Sequence, residues 1–273
     1  MNRNRSLAAL TAIALIALLA TAASAAAKST VTLSGSTSVA PLAKELAKAF
    51  VAQPQYKGKV KFVILQGGSD IGITDASRGR VTLGMSSRDP KPADPGGIVF
   101  NKIARDAVCV VTNSENPIPT LSQTQIQDIF SGRIRSWSQV PGAQVSGPID
   151  LVVRTAASGT QDAFQNIFMG DTLRVAGSAT TKSSNGLQAQ TIKSNPNAIG
   201  YASFNFTEGL FDVPYAGVGC SLRTAKAGQY GGARNFFFVS RGAPSGAAKA
   251  FIRFARNSAA AQQIVATNWV PLR

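Results

Sequence analysis

The chain has 273 residues, 44% hydrophobic and 15% charged, which is ample for two domains and excludes a disordered chain. It carries a formal net charge of +15 and no histidine, so the commonest general base and the commonest metal ligand are both missing. The cations are scattered, with Arg133 and Arg135 nearest to a cluster and no aromatic residues interleaved as a stacking platform, so nucleic acid is not an expected partner.

The chain opens with Arg3 and Arg5, an apolar run over 7–20 and the small residues Ala23-Ser24-Ala25-Ala26. That order of parts is a secretory signal peptide. The run is shorter than a comfortable membrane span of ~20 residues, and no basic stop cluster follows it. Residues 1–26 are therefore expected to be cleaved on export. The product would be a periplasmic or otherwise secreted protein that keeps +13 of the +15, with no cysteine near the cleavage site to carry a lipid.

Strand-like and helical patterns then alternate. Residues 31–33 read as a strand, and 39–51 as a helix with Leu42, Leu46, Ala49 and Phe50 at helical spacing. A strand is expected over 60–65, a short helix over 71–76 and a strand over 81–84. A further strand ends at 109–112, before the Pro-rich turn at 116–119. Ser122 is placed to cap a helix over 123–130. Next come a strand over 149–153, a helix over 160–168 and strands over 198–202 and 235–240. Helices over 247–255 and 259–265 close the chain. This alternation predicts an α/β fold, a parallel or mixed sheet covered by helices. Cys109 and Cys220 are the two cysteines; they could pair in an oxidising compartment or be buried separately as small apolar residues.

Three clusters of small residues fall where a strand gives way to a helix: 34–38 (Ser-Gly-Ser-Thr-Ser), 66–69 (Gln-Gly-Gly-Ser) and 158–160 (Ser-Gly-Thr). Glycine lets backbone approach a ligand, the first N–H groups of a helix lack internal partners, and hydroxyls add donors. Any one cluster is ordinarily just a helix cap. Three of them outside the carboxyl ends of strands would make a pocket for a small tetrahedral anion. Arg88 and Arg154 stand close to these clusters in sequence and offer planar donor forks. No complete nucleophile elbow, Walker A loop or dinucleotide fingerprint is present, so neither a catalytic residue nor a cofactor nor a metal is expected.

Taken in order, these segments resemble the phosphate-binding protein of the high-affinity phosphate ABC importer. The resemblance runs through Gly35-Ser36-Thr37-Ser38-Val39-Ala40-Pro41-Leu42, Gly67-Gly68-Ser69, Gly84-Met85-Ser86-Ser87-Arg88, Ile129-Phe130-Ser131-Gly132 with Trp137, Arg154 with Ser158-Gly159-Thr160, and Ile199-Gly200-Tyr201. It implies a two-lobed type II periplasmic binding protein with a ligand cleft between hinged lobes. Lobe 1 would hold 28–112 and return over 203–273; lobe 2 would hold 113–202. It implies phosphate ligands at Thr37, Ser38, Ser69, Arg154, Ser158, Gly159 and Thr160, with Ser87 and Arg88 completing the pocket. Some members place an Asp at the position of Ser87, where it accepts a bond from protonated phosphate and repels sulfate. The implied partners are inorganic phosphate and a membrane permease, for a monomer without catalytic activity. Binding of another oxyanion (sulfate, molybdate or tungstate) is the alternative, followed by an exported phosphatase or a surface protein that binds anionic polymers.

Overall fold

The computed structural model describes residues 28–272, so the expected signal peptide lies outside the described residues. Strand β1 (Ser29–Gly35) buries Val31 and Leu33 and ends on Gly35. Gly35 has φ +126°, and a Cβ there would stand 2.4 Å from the Met85 carbonyl, so only glycine makes this turn. Helix α1 (Val39–Ala52) follows and turns one face inward through Leu42, Ala43, Leu46 and Phe50. Strands β2 (Val60–Ile64) and β3 (Leu83–Ser86) pair in parallel on either side of β1, with helix α2 (Ser69–Ser77) connecting them. β3 starts two residues later than the sequence pattern predicts. Thr82 exchanges bonds with the side chain of Thr32 instead of joining the backbone ladder, N–H to Oγ1 at 2.9 and 3.1 Å.

Strand β4 (Ile98–Asn113) is far longer than the segment its apolar core announces. Helix α3 (Gln123–Phe130) begins at Ser122 as expected, in a capping box with Gln125. Strand β5 (Asp150–Arg154) leads to helix α4 (Gly159–Phe164), which widens into a π turn over Gln165–Met169; the helix expected over 160–168 thus changes pitch midway. The remaining elements are strand β6 (Thr180–Lys182), helix α5 (Asn185–Lys193), strands β7 (Ala198–Ser203) and β8 (Leu210–Asp212), helix α6 (Leu222–Lys226), strand β9 (Ala233–Arg241) and helices α7 (Gly246–Asn257) and α8 (Ala259–Asn268).

The sheet runs β2-β1-β3-β9-β4-β7-β5-β6, with β8 on β4. Two parallel groups, β2-β1-β3 and β7-β5-β6, flank the antiparallel pair β9 and β4. β4 serves both groups: Ile98 to Ala107 pair with β9, and Val108 to Thr112 with β7. Drawn by pairing, the halves therefore exchange the chain between Ala107 and Val108, and again at Gly232, where the Val108 N–H donates to the carbonyl. One strand, β4, crosses the junction unbroken, and β8 pairs with its end on the second half.

Each half has its own core. In the first, Leu33, Leu46, Phe50, Phe238 and Phe251 pack together; in the second, Phe130, Phe164, Phe168 and Tyr201 do. Cys109 of β4 and Cys220 form a disulfide, which settles the alternatives left open by the sequence and ties the 204–232 excursion to the second half. No helix among the described residues is long and apolar enough to cross a membrane.

Candidate anion-binding cleft

The carboxyl ends of the two parallel groups face each other, and each delivers a small-residue turn into the gap. From the first half come Thr37 and Ser38 after β1, Ser69 at the start of α2 and Ser87 after β3, all buried. From the second come Arg154 at the end of β5, then Ser158 and Thr160 at the start of α4, also buried. The contacts cross the gap. The Arg154 Nη2 donates to Thr37 Oγ1 at 3.3 Å, and the Ser38 and Thr160 hydroxyls share a bond of 3.0 Å. The Asp70 N–H donates to the Ala157 carbonyl at 3.1 Å. Gly159 presses against the first half so closely that a Cβ would lie 2.3 Å from Ser69 Oγ and 2.7 Å from Ser87 Oγ.

The serines differ in what they do. Ser158 Oγ accepts from the N–H groups of Thr160 and Gln161 and is a helix cap. Ser36 Oγ accepts from the N–H groups of Ser38 and Val39 and donates to Ser87 Oγ at 2.9 Å. Ser69 Oγ accepts from the Ser87 N–H at 3.0 Å. Helix starts and hydroxyls thus brace one another within a cluster that remains rich in donors.

Arg154 is 3% exposed. Its Nε and Nη2 donate to the carbonyls of Lys182 and Ser183, while its Nη1 is buried without a partner. Among the described residues no carboxylate bonds to it. Burial draws its pKa down to about 10; Arg234 adds to the fall, and Tyr201 partly offsets it. The Arg154 backbone N–H donates to the Tyr201 hydroxyl, which in turn donates to Gln161, so the late Ile-Gly-Tyr segment anchors the strand end that presents this arginine.

Arg88 is placed differently from expectation. Its Nε donates to Asp70 Oδ1 at 2.7 Å, and its Nη1 and Nη2 to the two oxygens of Asp94 at 3.0 and 2.6 Å. Burial alone would lower its pKa, but the hydrogen bonds to Asp94 and Asp70 outweigh it and hold the guanidinium above its ordinary value. Its donor fork is directed at carboxylates, so Arg88 fastens the loop after β3 to α2.

Three residues that the sequence did not single out complete the cleft. Arg234, at the start of β9, donates through Nη2 to Ser38 Oγ at 2.9 Å and to Asp106 Oδ2 at 2.8 Å; its Nη1 too is buried and unpartnered. Burial lowers its pKa, partly offset by Asp106. Asp106 also accepts from Ser203 Oγ at 2.7 Å. Asn185 donates to Thr37 Oγ1 at 2.9 Å and to Ser38 Oγ at 2.8 Å. One signal was legible, a lone aspartate within the apolar stretch of β4. Nothing local marks Arg234, which lies 128 residues from Asp106.

Two buried guanidiniums with a single carboxylate between them leave an uncompensated positive charge, which is costly unless an anion approaches. Each spare Nη1 is a donor for such an anion. Two α/β halves joined by paired strands, with a donor-lined cleft at their facing strand ends, define a two-lobed solute-binding protein of the type II periplasmic kind. The family model described as a PBP superfamily domain matches residues 20–258. A protein of Clostridium perfringens assigned to phosphate ABC transport as substrate-binding protein, with phosphate bound, is 32% identical; the match covers 89% of this chain and 100% of that one, with a TM-score of 0.82. The phosphate-binding protein PstS of Bacillus subtilis is 25% identical over 88% of this chain and 79% of its own length. PstS 2 of Streptococcus agalactiae is 36% identical over 111 residues, 40% of this chain and only 37% of the relative's length. The chain belongs to the PBP superfamily and, within it, to the PstS family of phosphate-binding proteins.

Proposed function

We propose that this protein captures inorganic phosphate outside the cytoplasmic membrane and hands it to the permease of an ABC importer. It would act as a monomer, after removal of residues 1–26, and without catalysis. The observation that carries the reading is the convergence of Arg154 and Arg234, each with a buried, unpartnered Nη1, on the hydroxyls of Thr37, Ser38 and Thr160. In the proposed site both guanidiniums supply charge. Thr37, Ser38, Ser69 and Thr160 supply hydroxyl and backbone donors. Ser158 shapes the α4 start, and Gly159 admits close approach. Ser87 belongs to the same cluster, bonded to Ser36 and Ser69.

A second reading, another oxyanion such as sulfate, draws on Ser87 standing where some relatives carry Asp. A fully ionised oxyanion needs donors only, whereas protonated phosphate needs one acceptor. Hydroxyls accept as well as donate, so the Ser69–Ser87 cluster could serve protonated phosphate without the Asp, and it would also admit sulfate. The test is calorimetric titration of protein stripped by unfolding and refolding with its disulfide intact, against phosphate and separately against sulfate. Tight one-to-one binding of phosphate alone supports the proposal. Equal or tighter sulfate binding replaces it with the second reading, and no binding of either removes both.

A further inference from the structure

Just over half of the net positive charge beyond residue 26 lies in two segments that share one pole of the fold. Residues 39–64 and 246–268, which hold α1, β2, α7 and α8, carry eight Lys and Arg against one carboxylate, Glu45. Residues 113–202 carry six against five. The asymmetry is spatial as well. Helices α1, α7 and α8 pack into one core on the sheet, and Phe50 of α1 meets Phe251 and Phe254 of α7 at ring distances of 5.4 and 5.5 Å. Their inward faces are thus fixed, and the outward stripes present Lys44 and Lys48 on α1 and Arg253 and Arg256 on α7. Lys57 and Lys59 stand on the turn between α1 and β2. All six are exposed, and none is in an ion pair among the described residues. A shallow cavity of about 280 Å³, walled by Gln53, Tyr56, Arg253 and Asn257, joins the turn to α7 and makes the two parts one surface.

This pole lies away from the cleft. Lys57 and Lys59 precede β2, at the amino ends of the parallel strands, whereas Ser38 and Ser69 follow the carboxyl ends. Its cations are spread over two helices and a turn instead of converging on a pocket, a layout that matches a planar array of anionic groups and not a discrete ligand. We propose that this pole docks on an anionic lipid surface and holds the protein at the membrane with its cleft free to fill. Each Lys or Arg close to such a surface strengthens binding roughly fivefold, an effect that fades within a Debye length.

The test is sedimentation of the chain from Lys28 onward, which holds every described element of the fold, with phosphatidylcholine vesicles and with vesicles that also contain phosphatidylglycerol. The expected result is binding to the anionic vesicles only, lost at high salt and unaffected by free phosphate. The Lys57→Glu/Lys59→Glu/Arg253→Glu/Arg256→Glu variant should bind at least ~100-fold more weakly, with its phosphate titration unchanged; if it fails to fold, the same four positions changed to Gln carry the test. Equal binding by the variant, equal binding to neutral vesicles, or binding only to a soluble polyanion overturns the proposal. Release by free phosphate also overturns it, because it would place the headgroup in the cleft. Arg154→Met should bind vesicles like the parent, so failure of the phosphate reading and failure of this one are separable.

Discussion

Replacing Arg154 by Met removes a guanidinium while keeping most of its packing volume. The side chain is buried, bonds to two carbonyls and Thr37, and has no carboxylate partner, leaving Nη1 free for an anion. A unit charge ~4 Å away at an effective dielectric of ~20 contributes about 4 kcal/mol, and a charge-assisted hydrogen bond about 1.5–3 kcal/mol. With part of that already offset by desolvation, the net loss on binding should be about 3 kcal/mol, or 100-fold or more in Kd. Stability should not follow affinity. A buried cation whose pKa is drawn down to about 10 opposes folding by up to about 3 kcal/mol at neutral pH. The orphaned carbonyls of Lys182 and Ser183 give back part of that relief. The ligand-free melting temperature should therefore hold or rise while calorimetric phosphate affinity collapses. Unchanged affinity, or a loss of affinity matched by a large fall in melting temperature, would refute the assignment of Arg154 as the anion's charged ligand.

Three further outcomes are expected. Gly159→Ala should fold normally, because its backbone is ordinary for a helix start, yet lose at least ~10-fold in phosphate affinity, because the new Cβ meets Ser69 and Ser87 and wedges the halves apart; affinity equal to the parent would show that the contact yields. Cys109→Ala/Cys220→Ala should lower stability in urea by about 3–4 kcal/mol, since the bridge closes a loop of 111 residues; an unchanged midpoint would mean the excursion is held by packing alone. Asp212 has a buried Oδ1 without a partner, and burial raises its pKa to about 6 against the Thr207 hydrogen bond that lowers it. A carboxyl raised above its unfolded value favours the fold in its protonated form, so stability should decline as pH rises from about 4 to 6 and stay lower above. Asp212→Asn should remove that decline, on the order of 2 kcal/mol after allowance for partial exposure; a slope that persists in the variant would assign it to another group.

Much of the fold was legible because its elements are local. The α1 face at Leu42, Leu46 and Phe50, the Ser122 cap and the closing helices all follow from spacing within a few residues. The strand–helix junctions that build the cleft were legible for the same reason, since glycine and hydroxyl residues mark them. What the sequence concealed is long-range. Arg88 and Arg154 look alike beside their serines, and only the fold shows one bound to Asp70 and Asp94 and the other left with a free donor. Arg234 reaches Ser38 across 196 residues, beyond any local pattern. Short elements such as β6 and β8, three residues each, have too few positions to show a period.

The paired strands β4 and β9 have a consequence for the order of events during capture. Asp106 and Arg234 sit on that ribbon where the halves join, and Arg234 holds Ser38 of the first half. A hinged opening that bends the ribbon beyond Ala107 would keep Arg234 beside Ser38, while Asn185 and Ser203, which bond to Ser38 and Asp106 from the second half, would leave. Such an opening would also break the bonds from Arg154 to Thr37 and between Ser38 and Thr160, which span the two halves. An incoming anion would thus be received by one prepared wall and then sealed by the other. Recognition and retention would then fall to different arginines.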